Sequence, residues 1–186
     1  RTNIAIGVDT LSSLADGYSN NAVGNGALSG TNGGYNNNAF GLDALKGNTG
    51  GFNNSGFGQS TLQANSTGDD NTAVGYNSLV STTGDKNTAI GSTTNVSAGK
   101  SNSTAIGFGA TVSENNTIQL GNTEVTSVVT SGTLSATGAT LANLKLTRGA
   151  PTTVGAVLTA TATDGTVGWS TSTNATSLSG GVAGAI

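Results

Sequence analysis

A five-residue pattern of polar and apolar positions recurs along the first two thirds of the chain: Asn-x-Ala-apolar-Gly. Its anchoring glycines are Gly7, Gly24, Gly41, Gly58, Gly75, Gly91, Gly107 and Gly121, spaced by 17, 17, 17, 17, 16, 16 and 14 residues. The residue before each is apolar: Ile6, Val23, Phe40, Phe57, Val74, Ile90, Ile106 and Leu120. Two before stands a small residue in seven copies (Ala5, Ala22, Ala39, Gly56, Ala73, Ala89, Ala105), with Gln119 in the last. Four before stand Asn3, Asn20, Asn37, Asn54, Asn71 and Asn87, then Ser103 and Thr117. Four after the glycine stand Leu11, Leu28, Leu45, Leu62 and Leu79. A second glycine follows ten residues on, at Gly17, Gly34, Gly51 and Gly68, drifting to Gly84 and Gly99 as the period shortens.

A period of 14 to 17 residues is too short for helix-pair repeats, which need about 33 or more. It predicts one turn of a β-solenoid, with two short strands and two glycine-bearing corners per turn. In Asn71-Thr72-Ala73-Val74-Gly75, strand alternation puts Thr72 and Val74 on one face and Asn71, Ala73 and Gly75 on the other. Hydrophobicity assigns the series from Ile6 to Leu120 to a buried ladder, with the Leu series opposite it. The Asn side chains, stacked at the strand spacing, are expected to bond to one another along the axis. The Ala/Gly row packs either on the far wall of the same coil or on identical chains, and the thin apolar supply favours identical chains. Each turn buries little alone, so stability resides between neighbouring turns.

Composition narrows the functional classes. Of 186 residues, 34% are hydrophobic, 4% aromatic and 8% charged, too little for one compact core and too little charge for the usual disordered chain. The net charge is -3 and the six cations (Arg1, Lys46, Lys86, Lys100, Lys145, Arg148) are scattered, so no nucleic-acid partner is expected. No apolar run approaches the roughly 20 residues of a membrane span, and no membrane insertion is expected. The chain begins at Arg1 and ends at Ile186, and is read as part of something longer.

Histidine and cysteine are absent, which removes a Ser-His-Asp triad, a Cys-His pair and an ordinary zinc site. No catalytic residue, cofactor or metal ligand is expected, and the chain is read as a non-enzyme. Asp69-Asp70 beside Gly68 reads as a solvated corner, and Asp9 and Asp43 are too sparse for an acidic row. Ala98-Gly99-Lys100-Ser101 imitates the end of a phosphate-binding loop, but Thr94 stands where the earlier glycine is required. Tyr18, Tyr35 and Phe52 each follow the second glycine directly, at a spacing of 17, and should stack. They are a candidate surface-binding ladder for sugar rings, or a structural ladder covering one corner; the structural reading is favoured.

Asn-Thr-Ala-Val-Gly at 71–75, Asn-Thr-Ala-Ile-Gly at 87–91 and Ser-Thr-Ala-Ile-Gly at 103–107 resemble the head repeats of the YadA-like trimeric autotransporter adhesins, a repeat found also in bacteriophage tail fibres. The resemblance covers about residues 3–121. It implies an all-β, left-handed parallel β-roll of about eight turns, with three chains side by side as a homotrimer. The first four turns depart from the adhesin pattern in being longer, at 17 residues.

Three regions are expected: a β-roll repeat head at 1–121, a neck or shaft at 122–150, and a β-hairpin and linker at 151–186. The neck loses the motif for Thr/Ser/Val alternation, as in Thr126-Ser127-Val128-Val129-Thr130, followed by Leu134, Leu141, Leu144 and Leu146. After Pro151, Val154–Thr159 and Val167–Ser170 flank an Asp164-Gly165 turn signal. With the tail Leu178–Ile186, this region resembles the linker regions of phage tail fibres. The expected function is a structural fibre segment of a phage or phage-like virion that supports host-surface attachment. The alternative is the head of a bacterial trimeric adhesin, on the bacterial outer surface, binding host or matrix. Expected partners are the chain itself, other virion or fibre proteins, and host surface glycans. A polysaccharide-cleaving tailspike needs paired carboxylates in a groove, and none is placed for it.

Overall fold

The computed structural model describes residues 2–131 and the backbone of two further strands at 156–160 and 167–171. The chain forms two compact units, Arg1–Gly132 and Thr133–Ile186. Among the described residues there is no helix.

The first unit is a parallel β-solenoid. Each copy of the motif forms one three-residue strand: β1 (Ile4–Ile6), β2 (Asn21–Val23), β3 (Asn38–Phe40), β4 (Ser55–Phe57), β5 (Thr72–Val74), β6 (Thr88–Ile90), β8 (Thr104–Ile106) and β10 (Ile118–Leu120). They lie in that order in one parallel sheet of eight strands. The register repeats the motif: Ala22 pairs with Ala39, and Val23 with Phe40. Val23 and Phe40 are thus adjacent strand neighbours, as the repeat predicts. Seven steps at the strand spacing make a coil roughly 34 Å long.

Each turn has fewer strands and more corners than expected. The second strand is present only late, as β7 (Asn95–Val96) and β9 (Thr111–Val112), which pair in parallel. In the earlier turns that stretch is a series of tight turns. Two left-handed corners fall on polar residues: Asp9, Asp43, Ser60 and Asn77 in one column, and Ser19, Asn36, Asn53, Asp70, Lys86, Asn102 and Asn116 in another, all with φ of 53° to 58°. Asn and Asp tolerate this region best among residues with a side chain, which explains their frequency here. A third corner falls on Leu11, Leu28, Leu45, Leu62 and Leu79, with φ of 50° to 53°. Leucine is ill suited to that conformation, at a cost of about 1–2 kcal/mol, yet Leu28, Leu45, Leu62 and Leu79 are fully buried. Burial of each side chain, worth about 1.5–3 kcal/mol, offsets it. Where Asn95 and Thr111 replace leucine, the backbone straightens into β7 and β9, and Val96 and Val112 fill the core instead.

The sheet presents the opposite face to the interior from the one expected. Ala22, Ala39, Ala73, Ala89 and Ala105 are fully buried, whereas Ile6 is 60% and Val74 38% exposed. The alternation holds, but Asn and Ala point in while the apolar series points out. The cause is the width of the coil. A Cβ on Gly56 would meet the Thr61 hydroxyl at 2.7 Å and the Leu45 Cδ1 at 3.6 Å. The leucine column already fills the space, and only Ala or Gly fits across from it. The Ala/Gly row therefore lines its own coil rather than an interface with identical chains.

The buried asparagines form the predicted ladder and more. Asn20, Asn37, Asn54, Asn71 and Asn87 each donate their backbone N–H to the side-chain oxygen of the asparagine one turn before, at 2.9–3.0 Å. Asn20, Asn37, Asn54 and Asn71 each donate Nδ2–H to the carbonyl of the second glycine of the following turn, at 2.7–2.8 Å. Gly34 has no room for a side chain, since a Cβ would lie 2.6 Å from the Gly51 carbonyl. Close stacking thus requires glycine at the second position, and its main-chain carbonyl serves as the acceptor. The anchor glycines are required twice over: Gly58 has φ of 136° and a Cβ there would lie 2.8 Å from the Gly75 carbonyl.

The second unit contains β11 (Ala156–Ala160) and β12 (Val167–Thr171), paired antiparallel with Leu158 opposite Trp169. These are the two strands anticipated after Pro151. The Asp164-Gly165 turn, the leucines from Leu134 to Leu146 and the tail Leu178–Ile186 lie outside the described residues.

Candidate functional site

Three columns of side chains and one groove on the solenoid's surface are candidates for function. The first contains the predicted aromatic ladder. Tyr18 and Tyr35 stack with centroids 5.1 Å apart and planes within 5°, and Tyr35 and Phe52 at 4.9 Å and 1°. Face-to-face stacking at the turn spacing gives each ring's face to its neighbour. The Tyr35 ring has both faces covered, so it presents only edges and its hydroxyl outward. The Tyr18 and Phe52 rings each have one face on Tyr35, and Tyr18 is exposed.

The same column continues as Asp69 and Asp85. The Asp69 carboxylate accepts the backbone N–H of Phe52 at 2.9 Å, and the Asp85 carboxylate accepts that of Asp69 at 3.0 Å. Burial pushes the Asp69 carboxyl above its ordinary value, and the charges of Asp85 and Asp70 push the same way, against the hydrogen bond from Phe52. Asp70 occupies a left-handed corner and accepts from Asn53 at 3.0 Å. Both carboxylates of the Asp69-Asp70 pair therefore have structural partners. Among the described residues no group of three or more His, Cys, Asp or Glu side chains could hold a metal ion.

The second column is the outward apolar series on the sheet. Phe40, Phe57, Val74, Ile90, Ile106 and Leu120 are all exposed, and Phe40 and Phe57 stack at 5.2 Å. Beside it, on the same face, runs a polar row in which Asn21 donates to Asn38 at 2.8 Å and Asn38 to Ser55 at 3.5 Å.

The third column is the residue after each anchor glycine. Val8, Leu42, Tyr76 and Phe108 are exposed there, in alternate turns. Sequence inspection passed over this column because its members differ at each successive turn. A comparison two turns apart, at spacings of 32 to 34 residues, brings out the pattern.

The fourth feature is a groove over the first three turns, of about 450 Å³. Val8, Asp9, Asn25, Leu42 and Asp43 are among the residues that line it. Gly26 also lines it, in the column that holds Asp9, Asp43, Ser60 and Asn77 in other turns. Lys46 pairs with Asp43 at 3.2 Å. Lys100, in the sequence that imitates a phosphate-binding loop, pairs with Glu114 at 3.7 Å, and its carbonyl accepts from Asn87 at 2.8 Å.

Among the described residues no helix is long and apolar enough to cross a membrane. No protein-family model matches the chain, and no curated protein is significantly similar to it.

Proposed function

We propose that this chain is a structural segment of a homotrimeric extracellular fibre, of the kind carried by phage or phage-like virions, that holds a host-binding end at a distance. The observation that carries the reading is the apolar column from Ile6 to Leu120 along the outside of the coil. A strip of this length is more than a soluble monomer ordinarily exposes. It repeats at the strand spacing, about 4.8 Å, so a partner matches it throughout only if it has the same axial repeat. A parallel copy of the same chain has that repeat. The number three comes from the resemblance to YadA-like heads and fibre repeats.

A mechanical role suits the interior. Successive turns are tied by backbone pairing and by the buried asparagine ladder, which favours a stiff rod over a deformable linker. Immunogold labelling with antibodies to the chain, applied to virions and cells of the producing strain, tests the reading. Label along virion fibres is expected. Label on the bacterial surface instead would favour the adhesin head, and label on neither would overturn both.

A further inference from the structure

The outward sheet column is nearly uniform. Phe40, Phe57, Val74 and Ile90 follow one another at every turn. A copy that slides along it by one turn loses only the cover of one end turn, because every other side chain then meets a near equivalent. That column alone does not fix the relative height of the chains.

The column after the anchor glycines is different. Val8, Leu42, Tyr76 and Phe108 alternate with Asn25, Gln59 and Ser92. Its axial period is two turns, about 9.6 Å at the strand spacing. Crowding within one chain does not explain the alternation, since Phe40 and Phe57 stack in successive turns of the neighbouring column. Core packing does not explain it either, because all four apolar members are exposed.

We infer that this alternating column sets the axial register between copies of the chain. This rests on the reading of the fibre as a parallel homotrimer. In register, apolar levels of one chain lie at the height of apolar levels of its neighbours. A slip of one turn puts Leu42 and Tyr76 at the height of Asn25 and Gln59, removing water from polar groups without giving them partners. A slip of two turns restores the match but uncovers two turns of the uniform apolar column. The uniform column thus supplies adhesion, and the alternating one selects a single alignment, much as side-chain pattern sets strand register in a sheet.

The full chain contains no cysteine, so Thr67→Cys, at an exposed position, accepts a single spin label. Pulsed dipolar spectroscopy of the labelled parent should give one narrow distance, as three equivalent sites require. In the background Asn25→Leu, Gln59→Leu, Ser92→Leu the column is uniformly apolar. The assembly should persist, with the distribution broadened toward longer distances by copies whose labels stand one or more turns of about 4.8 Å apart in height. The reverse background Val8→Asn, Leu42→Asn, Tyr76→Asn, Phe108→Asn also removes the alternation, guards against aggregation of the first, and should broaden the distribution likewise. Unchanged narrow distributions in trimers of the variants overturn the register role. A parent that is monomeric and shows no dipolar coupling overturns the trimer reading itself.

Discussion

The side-chain oxygen of Asn37 accepts the backbone N–H of Asn54, one turn further along the coil, at 3.0 Å. Asn54 repeats the arrangement with Asn71 and donates its own amide to the Gly68 carbonyl at 2.7 Å. Each buried asparagine therefore bonds the turn on either side of it.

Asn54→Ala leaves the buried Asn71 N–H without its partner and takes from the Gly68 carbonyl one of its two donors, the other being Asn65 Nδ2 at 2.9 Å. An orphaned buried N–H costs about 1–3 kcal/mol, so a loss of at least about that size is expected in urea denaturation. Asn54→Asp should be at least as damaging, since a carboxylate cannot donate to Gly68. Parental stability in either variant would mean the ladder does not hold the turns together.

Two glycine substitutions should differ sharply. Gly58 has φ of 136° and no room for a Cβ, whereas a Cβ on Gly50 meets nothing within 4 Å. Gly58→Ala is expected to lose about 1–3 kcal/mol from backbone strain alone, and more from the clash with Gly75. Gly50→Ala should be neutral or stabilising by up to about 1 kcal/mol, through reduced freedom of the unfolded chain. Thermal melts of the pair decide it.

Much of this solenoid is legible in the sequence. The spacing of the anchor glycines gives the parallel register of Val23 on Phe40, the recurrence of Asn gives the buried ladder, and Tyr18, Tyr35 and Phe52 stack as their spacing requires. The direction of the faces is not legible from hydrophobicity. Alternation separates Ala73 from Val74 but does not say which points inward, and burying the larger residue is the ordinary choice. What decides is the room left by Leu62 and Leu79 across the coil, a property of the closed cross-section and not of any local segment. The left-handed leucine corners were hidden for the same reason: tertiary burial of Leu28 and its equivalents overrides the residue's own preference.

Volume changes on the two faces test that assignment. Ala73→Leu overfills the coil and should cost at least about 1–3 kcal/mol. Val74→Leu should be tolerated, since Phe57 and Ile90 already occupy the same outward column. The opposite ranking of melting temperatures would put Val74 back inside.

The Asp69 carboxyl gives a pH dependence of known sign. Its folded pKa lies above the ordinary carboxylate value of about 3.9, so the folded state binds the proton more tightly than the unfolded chain. Stability contributed by this group is present below that value and is lost as pH rises through the folded pKa. Asp69→Asn keeps an oxygen for the Phe52 N–H and removes the charge. The variant should melt higher than the parent at pH 7, and the gap should close on acidification below about pH 4. A variant less stable than the parent at pH 7 would show that the charge itself is favourable there.

The outward apolar column bears most directly on function, and its occupant is tested by mass. Light scattering of the purified chain at micromolar concentration should give three times the chain mass, and Val74→Asp, which places a charge in the middle of the column, should lower it. A parent that remains a well-folded monomer under these conditions would contradict the claim that other copies of the chain cover this face.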